Sequence, residues 1–160
     1  MPRRTSPRWL NAEQQRIWRS YLLGSALLME RINADLAQYG LDVAEWEILV
    51  NLSEIEGRRM RMSELADSVH QSRSRLTHTI TRMEKARLVE RISCPTDRRG
   101  VWAWLTAEGV ALLESAAPSH VETVLRNFVE AMAPEDYAAV GRAFAAVIAV
   151  EQPADVAQAS

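Results

Sequence analysis

The chain reads as mainly α with a small β-wing: a winged helix-turn-helix of six helices and a two- to three-stranded antiparallel sheet. Three observations predict it. Two short amphipathic stretches, each opened by a serine, stand close together in the middle of the chain. An alternating hairpin follows them directly. Long apolar-striped stretches occupy both ends.

Taken in order, residues 11–39 form the first helix, because Ile17, Tyr21, Leu22, Leu28, Met29, Ile32 and Leu36 recur three and four apart. Gly40 is a natural left-handed stop. Asp42 opens a second helix with Glu45 completing a capping box, and Trp46, Leu49, Val50 and Leu52 supply its buried face. Gly57 ends the connection, and residues 60–62 are a candidate strand. Ser63 reads as the N-cap of a third helix carrying Leu65, Ala66 and Val69. Ser72 caps a fourth, running to about Lys85 with Leu76, Ile80 and Met83 turned inward. Residues 88–93 and 101–105 are the paired strands, joined by a turn punctuated with Pro95 and Gly100. Trp102 and Trp104 share one face of the returning strand, and Arg91 is read across from Trp104, within stacking reach. Thr106 caps a fifth helix over about 107–132, which Pro118 should kink or interrupt. Pro134 opens the last helix, to about Val150, and the tail beyond it has little to hold it.

A chain of 160 residues suffices for one domain with a substantial core. Residues 42–105 are the winged helix-turn-helix, whereas 11–39 and 107–150 carry more apolar surface than so small a unit can cover and are expected to pair with a second copy. The net charge is only −2, yet residues 58–99 hold eleven Arg and Lys against five Asp and Glu. A basic middle between acidic ends is a stronger sign of nucleic-acid contact than the total. No apolar run reaches membrane-spanning length, the basic N-terminus has no apolar stretch behind it, and the single cysteine, Cys94, fits a reducing compartment. The expected location is cytoplasmic. There is no Gly-rich phosphate loop, GxSxG or HExxH, so no enzyme is expected. His70, His78 and His120 lack ligand spacing, so neither metal nor cofactor is expected.

These residues resemble the MarR family of winged-helix regulators. The carriers are Ser63-Glu64-Leu65-Ala66, Ser72-Arg73-Ser74-Arg75-Leu76-Thr77, and Met83-Glu84-Lys85 with Leu88-Val89. The wing signature Asp97-Arg98-Arg99-Gly100, then Leu105-Thr106 and Gly109, is the most specific part. The resemblance covers roughly residues 15 to 150. It implies a homodimer, built from the first and last two helices, on a pseudo-palindromic double-stranded DNA operator. It also implies release from DNA when a small aromatic or phenolic acid, or an oxidant, alters the dimer. Arg87 and His70 stand where the family commonly has turn glycines; held at positive φ, either would cost about 1 kcal/mol. Oxidant-sensing relatives carry their reactive cysteine in the first helix, so Cys94 is read as a structural thiol.

A recognition helix meets the major groove by its N-terminal end. Arg73, Ser74, Arg75, Thr77 and His78 crowd that end, and Arg82 lies one turn beyond. Arg75 is the candidate for bidentate contact with guanine, whereas Ser63 and Ser72 cap their helices and touch phosphate. Arg98 and Arg99 would enter the adjacent minor groove, and Asp97 would brace the wing by pairing with an arginine. Trp18 and Trp46 are candidates for lining an effector pocket, although their place on apolar stripes favours the core. The competing function is a winged helix used as a protein adaptor or anti-repressor, which would have no use for paired wing arginines beside a basic helix end.

Overall fold

The computed structural model describes residues 7–94 and 97–150, with the side chains of all but residues 94 and 97–99. The readings placed on Cys94, on the side chains of Asp97, Arg98 and Arg99, and on the tail therefore lie outside the described residues. The order is α1 (Ala12–Ala37), α2 (Val43–Ser53), β1 (Arg59–Arg61), α3 (Met62–Ser68), α4 (Arg73–Lys85), β2 (Val89–Cys94), β3 (Asp97–Leu105), α5 (Ala107–Val124) and α6 (Pro134–Val150). The three strands form one antiparallel sheet in the order β1-β3-β2.

Local chemistry sets most helix starts. Asn11 and Gln14 form a capping box on α1, and Asp42 and Glu45 form one on α2. Ser72 caps α4, and Thr106 caps α5. Ser63 does not cap α3. Strand β1 pairs through Arg61 with Trp102, and the chain turns into the helix at Met62, so Arg61 is the cap residue and Ser63 falls inside the first turn.

The core lies in the middle of the chain. Ile48, Leu49, Leu52, Leu65, Leu76, Ile80, Met83, Val89 and Leu105 are fully buried, drawn from α2, α3, α4 and the wing. The first helix sends Ile32 and Leu36 into it with Leu28 packed alongside, and α5 sends Ala116 with Val110, Leu112, Leu113 and Ala117 against its edge. The upper part of the α1 stripe is not covered by its own chain: Ile17 is 59% exposed and Trp18 50%. Trp18 is therefore not a core residue of the single chain, unlike Trp46, which is buried. Periodicity marks a face that must be buried without saying which chain buries it.

Pro118 neither ends nor interrupts its helix. Packing clamps α5 on both sides of it, with Ala116 in the core, Ser119 donating to the Asp35 carboxylate of α1, and the His120 ring 4.5 Å from that of Trp46. Burial there pushes the His120 imidazole below its ordinary pKa, and the Asp35 charge pulls it back. The irregularity comes downstream instead. A π-turn over Leu125–Val129, in which the Glu130 N–H donates to the Leu125 carbonyl at 2.8 Å, forms the last turn of the helix, which closes at Val129.

His70 and Arg87 are both held at positive φ, at 50° and 61°, as their turn positions demand. Arg58, at 53°, shares the strain without a comparable sequence signal. Replacing Arg87 with glycine should therefore stabilise the fold. Relief of the left-handed backbone gains about 1–2 kcal/mol, and the freer unfolded chain returns about 0.4–1 kcal/mol. The net gain of about 0.5–1 kcal/mol should raise the melting temperature by about 1–4 °C. Thermal unfolding by circular dichroism measures it, and an unchanged or lowered midpoint would refute the strain argument.

Candidate nucleic-acid interface

The fourth helix is amphipathic in a way that separates core from charge. Leu76, Thr79, Ile80 and Met83 are buried beneath it, while Arg73, Ser74, Arg75, Thr77, His78 and Arg82 are exposed. Ser72 accepts from the Arg75 N–H at 3.3 Å, which closes the first turn and leaves the other early N–H groups free to face an anion. The hydroxyls of Thr77, Thr79 and Thr81 donate back to the carbonyls of Arg73, Arg75 and Thr77. Thr77 therefore keeps only acceptor capacity for a partner.

The arginines divide into two sets. Arg82 turns back to α2, with Nη2 2.8 Å from Asp42 and 3.1 Å from Glu45, the two acids of the α2 capping box. The Glu45 hydrogen bond and charge hold its guanidinium pKa above the ordinary value. Arg91 braces the opposite side: it pairs with Glu84 at 2.6 Å and donates to the Thr77 carbonyl and the Thr81 hydroxyl at 2.8 and 3.0 Å. Exposed pairs of this kind contribute at most about 1 kcal/mol each; their consequence here is orientation. Among the described residues the guanidinium groups of Arg73 and Arg75 make no hydrogen bond or ion pair, and both stand at the leading end of the helix.

Sequence reasoning placed Arg91 one residue out of register. It lies opposite Ala103, and Glu90 lies opposite Trp104. The cation over a wing tryptophan is Arg59, 4.8 Å from the Trp102 ring. The braces on α4 were missed as well. Arg91 and Glu84 flank one short connection with opposite charges, which is a usable signal, but Arg82 and Asp42 are forty residues apart and have none.

The expected effector candidates part company. Trp46 is buried, with its ring 4.5 Å from that of His120. Trp18 stacks on Tyr21 at 5.5 Å, and Tyr21 lies beside an apolar groove of about 1010 Å³ between α1, the end of α5 and α6. Ile17, Leu28, Phe128 and Phe144 line the same groove. Among the described residues no helix is long and apolar enough to cross a membrane.

The MarR family model matches residues 39–100, from the turn before α2 into the wing. AbsC, a MarR family transcriptional regulator from Streptomyces coelicolor, is 45% identical and superposes with a TM-score of 0.87 over 91% of this chain and 99% of its own. The chain belongs to the MarR family. A second MarR relative from the same organism, Sco3205, was solved in complex with DNA; it is 39% identical, with a TM-score of 0.89 over 93% of this chain and 94% of its own. NadR, solved with 4-hydroxyphenylacetate, is 26% identical with a TM-score of 0.65 over 92% and 97%. The HTH-type transcriptional regulator MhqR of Bacillus subtilis is 24% identical over 95 residues, and the match spans 64% of that protein's length. MarR proteins are transcriptional regulators rather than enzymes, and the six helices and three-stranded sheet seen here are the MarR architecture.

Proposed function

We propose that this protein is a homodimeric repressor that binds a pseudo-palindromic operator through α4 and the wing and leaves it when a small aromatic acid binds. The observation that carries the reading is the division of arginines. Among the described residues those at the leading end of α4 are exposed and make no hydrogen bond or ion pair, while Arg82 and Arg91 are held by carboxylates that fix the helix. Sco3205, a relative of full length, is a DNA-bound protein. Arg73, Ser74, Arg75, Thr77 and His78 face the major groove, with Arg75 as the base reader. Ser63 and the cap Ser72 are set against phosphate, and Arg98 and Arg99 enter the minor groove with Asp97 bracing the wing. Arg82 is reassigned from DNA contact to bracing. The exposed faces of α1 and α6 meet a second copy, which spaces the half-sites roughly 10 bp apart or a multiple of it. NadR's ligand, a phenolic acid, supports the effector class. The protein acts in the cytoplasm, where the DNA is.

Selection of bound duplexes from a random pool gives the operator. On it, Arg75→Ala should cost about 1–3 kcal/mol and relax preference at one position of each half-site. Scrambled DNA should lose much less. Equal losses on both duplexes would reduce Arg75 to a phosphate contact, and failure of the wild type to enrich any sequence would favour the adaptor reading.

A further inference from the structure

The wing hairpin leaves the core at Arg91. Along the inner face of β2, Val89 lies opposite Leu105, Arg91 opposite Ala103 and Ser93 opposite Val101. Val89, Leu105 and Ala103 are buried, whereas Ser93 is exposed and Val101 is 41% exposed. That face therefore passes from core to solvent at Arg91. The start of the strand is held by the turn after α4, where the Arg87 N–H donates to the Glu84 carbonyl and the Leu88 N–H to the Met83 carbonyl, both at 2.9 Å. Arg91 makes a second attachment. Its backbone N–H donates to Glu84 Oε1 at 3.0 Å, and its Nη1 to Glu84 Oε2 at 2.6 Å. Its Nη2 reaches on to the Thr77 carbonyl at 2.8 Å and the Thr81 hydroxyl at 3.0 Å. The Thr81 hydroxyl closes the network by donating to the same carbonyl at 2.8 Å. One side chain of the wing thus spans about two turns of α4 and ends at the backbone of a recognition residue.

We infer that Arg91 is a positioning residue that sets the direction of the wing on the recognition helix, so that the two DNA-reading elements meet the duplex as one rigid piece. This goes beyond the bracing of α4 and rests on the minor-groove reading of the wing proposed above. A strand attached at one point can swing, and a second attachment fixes its direction. The planar guanidinium suits the task, because its fork serves a carboxylate on one side and a carbonyl and hydroxyl on the other in a single geometry. A lysine ammonium on its flexible stem holds no such fork. A hairpin ordered in advance gives up little freedom when it docks, so the wing contacts add to those of α4. Without the clamp, ordering the hairpin on DNA offsets what its arginines gain.

The test is a set of double-mutant cycles in which wild type, Arg91→Met and Arg91→Lys, each with and without Arg99→Ala, are titrated against the operator at one salt concentration. The Arg91 side chain is 28% exposed and lies outside the core, so both variants should fold, which circular dichroism verifies. Arg91→Met should weaken operator binding about tenfold, and Arg99→Ala, which weakens the wild type, should then cost nothing further. Arg91→Lys keeps the charge without the fork and should stay within about threefold of the methionine variant, with the same loss of the Arg99 effect. The lysine cycle answers the question by itself if the methionine variant is unstable. If Arg99→Ala costs as much in the Arg91 variants as in the wild type, the wing keeps its place without the clamp and the inference is overturned alone. The same holds if Arg91→Lys binds as the wild type does, since charge and not geometry would then be what Arg91 supplies. If Arg99→Ala costs nothing in the wild type, the minor-groove reading of the wing fails and takes the inference with it.

Discussion

Gly109→Ala should destabilise the protein by about 3 kcal/mol or more and lower its melting temperature by about 6–12 °C. The expectation runs against helix propensity, which would favour alanine over glycine in a helix by about 1 kcal/mol. The reason is the joint between the wing and α5. A methyl group on Gly109 would lie 2.2 Å from the Leu88 carbonyl oxygen and 2.7 Å from Leu105 Cδ1. The Leu105 methyl can rotate; the carbonyl cannot retreat. Leu88 O accepts from the Thr106 N–H at 3.1 Å, the Thr106 hydroxyl lies between the Arg87 and Leu88 carbonyls at 2.7 and 3.0 Å, and the Gly109 N–H itself donates to that hydroxyl at 3.0 Å. Thr106 is buried, so separating these groups also strands polar atoms away from water. Urea or thermal unfolding of the purified variant decides the matter. A variant as stable as wild type would mean that α5 slides on the wing at no cost, and the joint would lose its structural role.

The same joint shows what a sequence makes legible. Thr106 and Gly109 sit three residues apart, as do Asp42 and Glu45 or Ser72 and Arg75, so each cap is written within one turn and can be read locally. The left-handed turns at His70 and Arg87 were legible only through the resemblance, which puts glycine at those two positions. Features that depend on distant pairing were not. Arg91 lies opposite Ala103 rather than Trp104, and a slip of one residue carries a side chain to the other face of the sheet. Its guanidinium consequently went to Glu84 and the flank of α4 instead of a tryptophan. Ser63 looked like a cap because nothing local announced that β1 would run straight into α3. Within the candidate site, the exposed recognition side chains were legible from helical spacing, while the ion pairs that aim the helix were not.

Ile17→Asp combined with Ile148→Asp should convert a dimer into a folded monomer and weaken operator binding on the order of 10²–10⁴-fold. In the single chain Ile17 is 59% exposed and Ile148 63%, one on α1 and the other on α6. A carboxylate at either site therefore costs little within one copy. Across a two-fold interface the balance reverses, because each contact is made twice and burying an apolar side chain of this size is worth about 1.5–3 kcal/mol. Burying a charge there instead costs several kcal/mol unless it is paired. Once dimerisation is lost, the second recognition helix no longer meets its half-site at the high effective concentration that the linked pair supplies. The DNA-binding lobe lies outside the change, so affinity for an isolated half-site should survive, and the salt dependence on the full operator should fall to about half its slope. Light scattering reads the assembly, circular dichroism the fold, and titration of full and half operators the binding. Two results would sink the proposal. One is wild-type protein that already scatters as a monomer at micromolar concentration. The other is a monomeric variant that keeps full operator affinity, which would make each copy an independent binder and leave the exposed faces of α1 and α6 to some other partner.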